Sequence, residues 1–296
     1  MPPLVTVLGD ALLDVHVIPD DVLRPGQDAS ARVRLEPGGQ GANLAVRLAR
    51  RGVETRLACA LGVDAAGRVV RDALEESGVD LAPAVEVEAT GVVVVLVDGA
   101  GARTMLSQRV PLADRLDVAA AAGGADWLVV SGYLLLEPGA RNLAIQPEMR
   151  RAVIGCTLEA SGAEAWTRTV EWLRPDLLVL NRDEAAAICG DDRETDGLAV
   201  ALADRLGALV VVTEPTGASA AIGGVVRSSA ATSDSPATDS TGAGDAFAAP
   251  LIARLAGSDW PPTSEALGQA LQDAVTLGSA VARVAGAQGR VAGEGP

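Results

Sequence analysis

Short apolar runs, rich in Val and Leu and bounded by Gly, Asp or Pro, punctuate the chain at residues 4–8, 127–131, 152–158, 177–180 and 209–213. Longer Ala-rich, Arg-containing stretches with helical spacing separate them, at 41–51, 65–77, 182–189, 198–206, 244–255 and 264–285. A continuous apolar run is what a strand covered on both faces requires, and the amphipathic stretches supply the crossover helices that cover it. The pattern predicts an α/β fold on a mostly parallel sheet. Two stretches break the rhythm: residues 15–35, ending in the alternation Ala31-Arg32-Val33-Arg34-Leu35, and residues 90–108, with Asp98-Gly99-Ala100-Gly101 between strand-like halves. Both read as antiparallel pairs forming a small sheet over one edge of the core, either a lid or a plain edge extension. Residues 227–238, rich in Ser, Ala and Thr, read as a strand-poor connection, and residues 291–296 as a frayed end.

Composition narrows the function. With 296 residues and 49% hydrophobic content the chain can bury a large core, expected as one domain over 1–296. Its apolar runs are far shorter than the roughly 20 residues that cross a bilayer, and the start at Met1-Pro2-Pro3 lacks a basic leader, so a cytoplasmic protein is expected. Cys59, Cys156 and Cys189 are widely spaced and His16 is the sole histidine, which speaks against a zinc site or a disulfide framework. A net charge of −15 disfavours nucleic-acid binding. Every basic side chain is Arg; the absence of lysine excludes a P-loop lysine and a Schiff-base lysine.

Four segments carry candidate chemistry. Asp239-Ser240-Thr241-Gly242-Ala243-Gly244-Asp245-Ala246-Phe247 leads small residues into a helix start, where unpaired N–H groups and the helix dipole attract an anion. Asp245 in that first turn reads either as a capping charge or as a base. Pro37-Gly38-Gly39-Gln40-Gly41-Ala42-Asn43 also precedes a helix, but it fits neither the dinucleotide fingerprint nor a P-loop. Asp10 and Asp14 follow the first strand, at the carboxyl edge where open parallel sheets bind ligands. Asn181-Arg182-Asp183-Glu184 has the form of a capping box.

In order and separation these segments resemble the two signatures of the PfkB, or ribokinase-like, carbohydrate kinases, and the likeness extends over essentially the whole chain. Ser240 stands where the family usually has Thr, and Gln40 where ribokinases commonly have Lys. The resemblance implies a three-layer ribokinase-like fold with a small antiparallel β lid, and transfer of a phosphoryl group from ATP to a hydroxyl of a small sugar or sugar acid. It implies Gly242, Ala243 and Gly244 as the anion hole and Asp245 as general base. It assigns Asp14, Gly39, Gln40, Asn43 and, more weakly, Glu137 to the substrate, with Asp10 as fallback for Asp14. Asn181, Thr213 and Gly217 fall to the nucleotide, although Val212-Thr213-Glu214-Pro215-Thr216-Gly217 lacks the first glycine of the usual pattern. Glu184 is implied to organise Mg²⁺ through water, and Asp239 to help hold a monovalent cation such as K⁺.

Two other functions remain open at this level: a nucleoside kinase of the same family, and a sugar-binding sensor without catalysis. None of the six aromatic residues lies in either lid segment, which counts against stacking of a base. Arg32, Arg34, Arg103 and Arg109 either meet a substrate anion or solvate the lid, and an exposed lid edge favours a homodimer. Pro250 is expected to bend the helix after Asp245.

Overall fold

The computed structural model describes residues 2–98, 102–143, 145, 148–158, 160–230 and 242–283. The chain begins in the core with β1 (Leu4–Leu8) and passes through Gly9-Asp10-Ala11 into β2 (Leu12–Pro19), which leaves it. β3 (Ala31–Gly38) returns to α1 (Gln40–Ala49), β4 (Glu54–Ala58), β5 (Ala60–Gly62), α2 (Ala65–Glu76) and β6 (Val85–Val87). β7 (Gly91–Val97) and β8 (Arg103–Gln108) leave the core again, and α3 (Val118–Ala121) brings the chain back to β9 (Trp127–Ser131). Then follow β10 (Arg150–Ile154), α4 (Ala160–Leu173), β11 (Leu177–Asn181), α5 (Arg182–Cys189), α6 (Thr195–Leu206), β12 (Leu209–Glu214), β13 (Gly217–Ile222), β14 (Val225–Ala230), α7 (Ala243–Ala256) and α8 (Ser264–Val281).

The main sheet has the order β14-β13-β12-β11-β10-β9-β1-β4. From β4 to β12 every pairing is parallel, while β13 and β14 add antiparallel strands at one edge. Alternate strand residues face opposite layers, as the pleat requires. Leu177 and Val179 of β11 pack with α1, α2, α7 and α8, whereas Leu178 and Leu180 pack with α4, α5 and α6. That double cover explains the unbroken apolar runs. One expectation needs correction: residues 227–230, read as part of a strand-poor connection, complete β14, which pairs with β13, while residues 231–238 of that stretch lie outside the described residues. Residues 160–173 form a helix that the apolar pattern did not single out. Helix α8 is described to Val281 rather than 285; the expected frayed end at 291–296 lies outside the described residues. No helix among the described residues is long and apolar enough to cross a membrane.

The second sheet, β3-β2-β7-β8, stands over the core as the two interrupting stretches foretold, beginning earlier than expected, at Leu12. Its two antiparallel hairpins are joined by a parallel pairing of β2 with β7.

Where the lid leaves the core, two glycines let backbones touch. A Cβ on Gly41 would lie 2.8 Å from the Gly9 carbonyl carbon, and one on Gly9 would lie 2.9 Å from the Gly41 Cα. This contact seats the start of α1 on the end of β1. Gly41→Ala is expected to lower unfolding stability by about 1–3 kcal/mol, the cost of overpacking against a main chain that cannot step aside. Denaturant unfolding measures it, and an unchanged midpoint would count against the contact.

Candidate active site

The carboxyl ends of β1, β9, β10, β11 and β12 lie along one edge of the sheet. The loops that follow them bring most of the singled-out residues together. Asn43, in the first turn of α1, donates from Nδ2 to Oδ2 of Asp245 over 3.0 Å. Asp245 lies in the first turn of α7, which opens on Gly242 with φ 71°, followed by Ala243 and Gly244. Both partners are buried. The Asp245 side chain therefore reaches across to another helix, which distinguishes it from a simple capping carboxylate.

Asp10 links the same elements. Its main-chain carbonyl accepts from Ala42 N at 3.0 Å and its Oδ1 from Gly41 N at 3.3 Å. Asp14 stands on β2 at the root of the lid, opposite Glu36 of β3. Gly39 joins the two as the residue before α1. On the other side, Asn181 and Glu184 form a reciprocal capping box, Glu184 N to Asn181 Oδ1 at 2.8 Å and Asn181 N to Glu184 Oε2 at 3.0 Å. Thr213 is the register partner of Asn181 on β12, and Gly217 pairs with Glu214 at the turn into β13.

Gln40 and Glu137, which the resemblance assigns to the substrate, have partners within the protein. Gln40 Oε1 accepts from Ser131 Oγ at 2.6 Å and Gly132 N at 3.0 Å, while its Nε2 donates to Gly155 O at 2.7 Å. The amide thus ties α1 to the ends of β9 and β10. Gly155 must be small, because a Cβ there would fall 2.2 Å from Glu184 Oε2. Glu137 Oε2 accepts from Leu112 N and Ala113 N at 2.8 and 2.7 Å, fixing the segment after the lid. Sequence reasoning left Ser131 and Arg47 unnoticed. Arg47 is fully buried one turn beyond Asn43, a position that its helical spacing could have revealed. His16 pairs with Glu36 at 3.8 Å within the lid. Asp239, Ser240 and Thr241 lie outside the described residues, as do Gly99, Ala100 and Gly101.

The electrostatics are those of buried acids with few cations. Burial pushes Asp245 from its ordinary 3.8 up to about 7, with Asp10 adding to the rise while the Asn43 bond and the Arg47 charge oppose it. Burial likewise takes Glu184 to about 7, and Asp14 to about 6 with help from Asp10 and Glu36. Cys59 and Cys156 are buried and pushed up to about 12, so neither offers a thiolate. Among the described residues no three His, Cys, Asp or Glu side chains form a group able to hold a metal ion.

The sequence model of the pfkB family carbohydrate kinases matches residues 3–291. A fructokinase from Klebsiella pneumoniae is 30% identical over 305 residues, covering 95% of this chain and 94% of the relative. Ribokinase from Thermotoga maritima superposes with a TM-score of 0.78 at 19% identity, over 97% of this chain and 95% of that one. Ribokinase from Cryptococcus neoformans in complex with ADP gives 0.71 at 22% identity, over 97% and 96%.

The raised acids make stability depend on pH. Asp245 binds its proton more tightly folded than unfolded, so its contribution is fully present below about pH 4 and is lost as pH rises through about 7. Asp245→Asn, which cannot ionise, is expected to melt higher than the parent at pH 8, with the advantage shrinking toward pH 4. Thermal melts across that range test it; a variant equally destabilised at every pH would contradict the buried-charge account.

Proposed function

Because the chain belongs to the PfkB family of carbohydrate kinases, enzymes that use ATP, we propose that it phosphorylates a hydroxyl of a small sugar or sugar acid, with Asp245 as general base. The observation that carries this reading is the Asn43–Asp245 hydrogen bond beside the Gly242-Ala243-Gly244 turn. It joins a donor and acceptor pair suited to a hydroxyl with the N–H groups of a helix start, which suit a phosphoryl group. Phosphoryl transfer needs positioning and charge stabilisation above all, and a base within reach of the attacking hydroxyl completes the set. A carboxyl near neutrality in proton affinity suits that task, since it can take the proton and release it again.

In this reading Asp14, Gly39 and Asn43 orient the acceptor, while Gln40 and Glu137 hold the surrounding loops. Asn181, Thr213 and Gly217 border the nucleotide, and Mg²⁺ arriving with ATP neutralises phosphate charge. Glu184 would meet it through water. Its proton affinity, about 7 through burial, would fall beside such a cation. A K⁺ site at Asp239 belongs to the same proposal. The reading locates the enzyme in the cytoplasm, with ATP. Among the alternatives, a nucleoside acceptor is less favoured, because Tyr133, the one aromatic among the described residues bordering the cavity beneath the lid, has the Arg109 guanidinium 4.0 Å over its ring. Asp245→Asn is expected to lower kcat by about 10²- to 10⁴-fold, and the acid limb of wild-type kcat to fall near pH 7. Retained turnover in the variant would remove Asp245 from this role.

We further propose that two copies pair through their lids. Leu35, Val15, Val94 and Leu106 stand opposite one another across the four strands, and Val33, Val17 and Leu96 form a second row on the same face. Val33, Leu35 and Leu106 are 58%, 56% and 60% exposed. A contiguous apolar sheet face of this kind marks an interaction surface. Light scattering should find a dimer in the parent and a monomer in Leu35→Asp; a monomeric parent at micromolar concentration would end this part of the proposal.

A further inference from the structure

Beneath the lid a cavity of about 420 Å³ opens between the lid roots and the core, bordered by Asp10, Leu12, Arg109, Tyr133, Leu134 and Glu137. Its wall continues into the first turn of α1, because Asp10 accepts from both Gly41 N and Ala42 N. Arg109, one residue past β8, is the cation on this wall, and one face and one edge of its guanidinium are engaged. Its Nη1 makes an ion pair with Asp10 Oδ2, and its guanidinium lies 4.0 Å over the Tyr133 ring. The Asp10 side chain is 15% exposed and that of Arg109 36%, so the pair is shielded on the aspartate side and open to the cavity on the arginine side. Asp10 is also near enough to Asp14, Glu137 and Asp245 to strengthen proton binding at all three.

We propose that Asp10 is a specificity-determining residue: by occupying Arg109 it makes the cavity accept an uncharged polyol and reject the corresponding sugar acid. This rests on the reading of the site as the acceptor site of a sugar kinase and narrows it to one acceptor class. An acceptor carboxylate would have to displace Asp10 from the guanidinium while facing Glu137 on the same wall. Like charges placed together are a strong means of refusing a partner. A polyol has no such conflict, since ionised carboxylates accept hydroxyl protons at several positions.

The test compares D-fructose with 2-keto-D-gluconate, which differ in a hydroxymethyl against a carboxylate, using the full chain with saturating Mg²⁺ and ATP. Wild type should favour the sugar by at least about 10² in kcat/KM, within the range that buried polar recognition reaches. Asp10→Asn keeps an oxygen for Gly41 N but releases Arg109, and should shrink that ratio about tenfold or more, chiefly through a lower KM for the acid. Adding Arg109→Gln should abolish the gain. Equal use of the two compounds by wild type, or an unchanged ratio in Asp10→Asn, overturns the proposal. If neither compound nor any other sugar is phosphorylated, the kinase reading fails instead, and calorimetric binding of the same pair still decides the preference. Should Asp10→Asn not fold, Arg109→Gln alone must reject the acid more strongly than wild type, because Asp10 then stands uncompensated; a relaxed preference overturns the proposal equally.

Discussion

The bond from Asn43 to Asp245 spans 202 positions of sequence, and the architecture of the site depends on it. Each residue sits in the first turn of its own helix, so bringing their side chains together fixes the starts of α1 and α7 against each other. The two helices share the same packed layer against the sheet. Satisfying a buried carboxylate with an amide donor costs less than leaving either group alone, which makes the arrangement self-selecting during folding. The Gly9–Gly41 contact and the Gln40 clamp on Ser131, Gly132 and Gly155 serve the same end from below.

A chain without lysine has to build a phosphoryl-transfer site from backbone donors, arginine and carboxylates. The consequence is an unusual concentration of acids held at high proton affinity by burial: Asp14, Glu184 and Asp245. Gln40 brings no charge to these acids and commits its amide to main chain and Ser131. The site therefore gains rigidity and forgoes charge compensation.

The lid extends this logic. One face carries Asp14, Glu36 and His16, and the other the apolar rows that begin on the core at Leu13 and continue into the open. Since side chains alternate along a strand, a single four-stranded sheet can line a site and present a docking surface at once. Arg109 and Asp10 lie where this sheet joins the core, and their ion pair ties the segment after β8 to the loop after β1.

Residue pattern alone determined the class of fold, because a strand covered on both faces must be apolar throughout and its crossover helices amphipathic; the runs at β1, β9, β11 and β12 needed no tertiary information. The second sheet was legible for the opposite reason, as polar and apolar residues alternate in Ala31–Gly38, which contradicts burial on both faces. The glycine-led helix starts and the Asn181–Glu184 box were readable because capping is local chemistry. Strand β14 was not, since its Ser-rich residues pair only because β13 lies beside them, and helix α4 escaped because Thr and Trp blur its periodicity. The employment of Gln40, Glu137 and Arg109 was likewise decided in three dimensions. A side chain with several donors or acceptors takes whichever partners the fold brings near, and here these lie 115, 25 and 99 positions away, distances over which sequence spacing carries no geometric information.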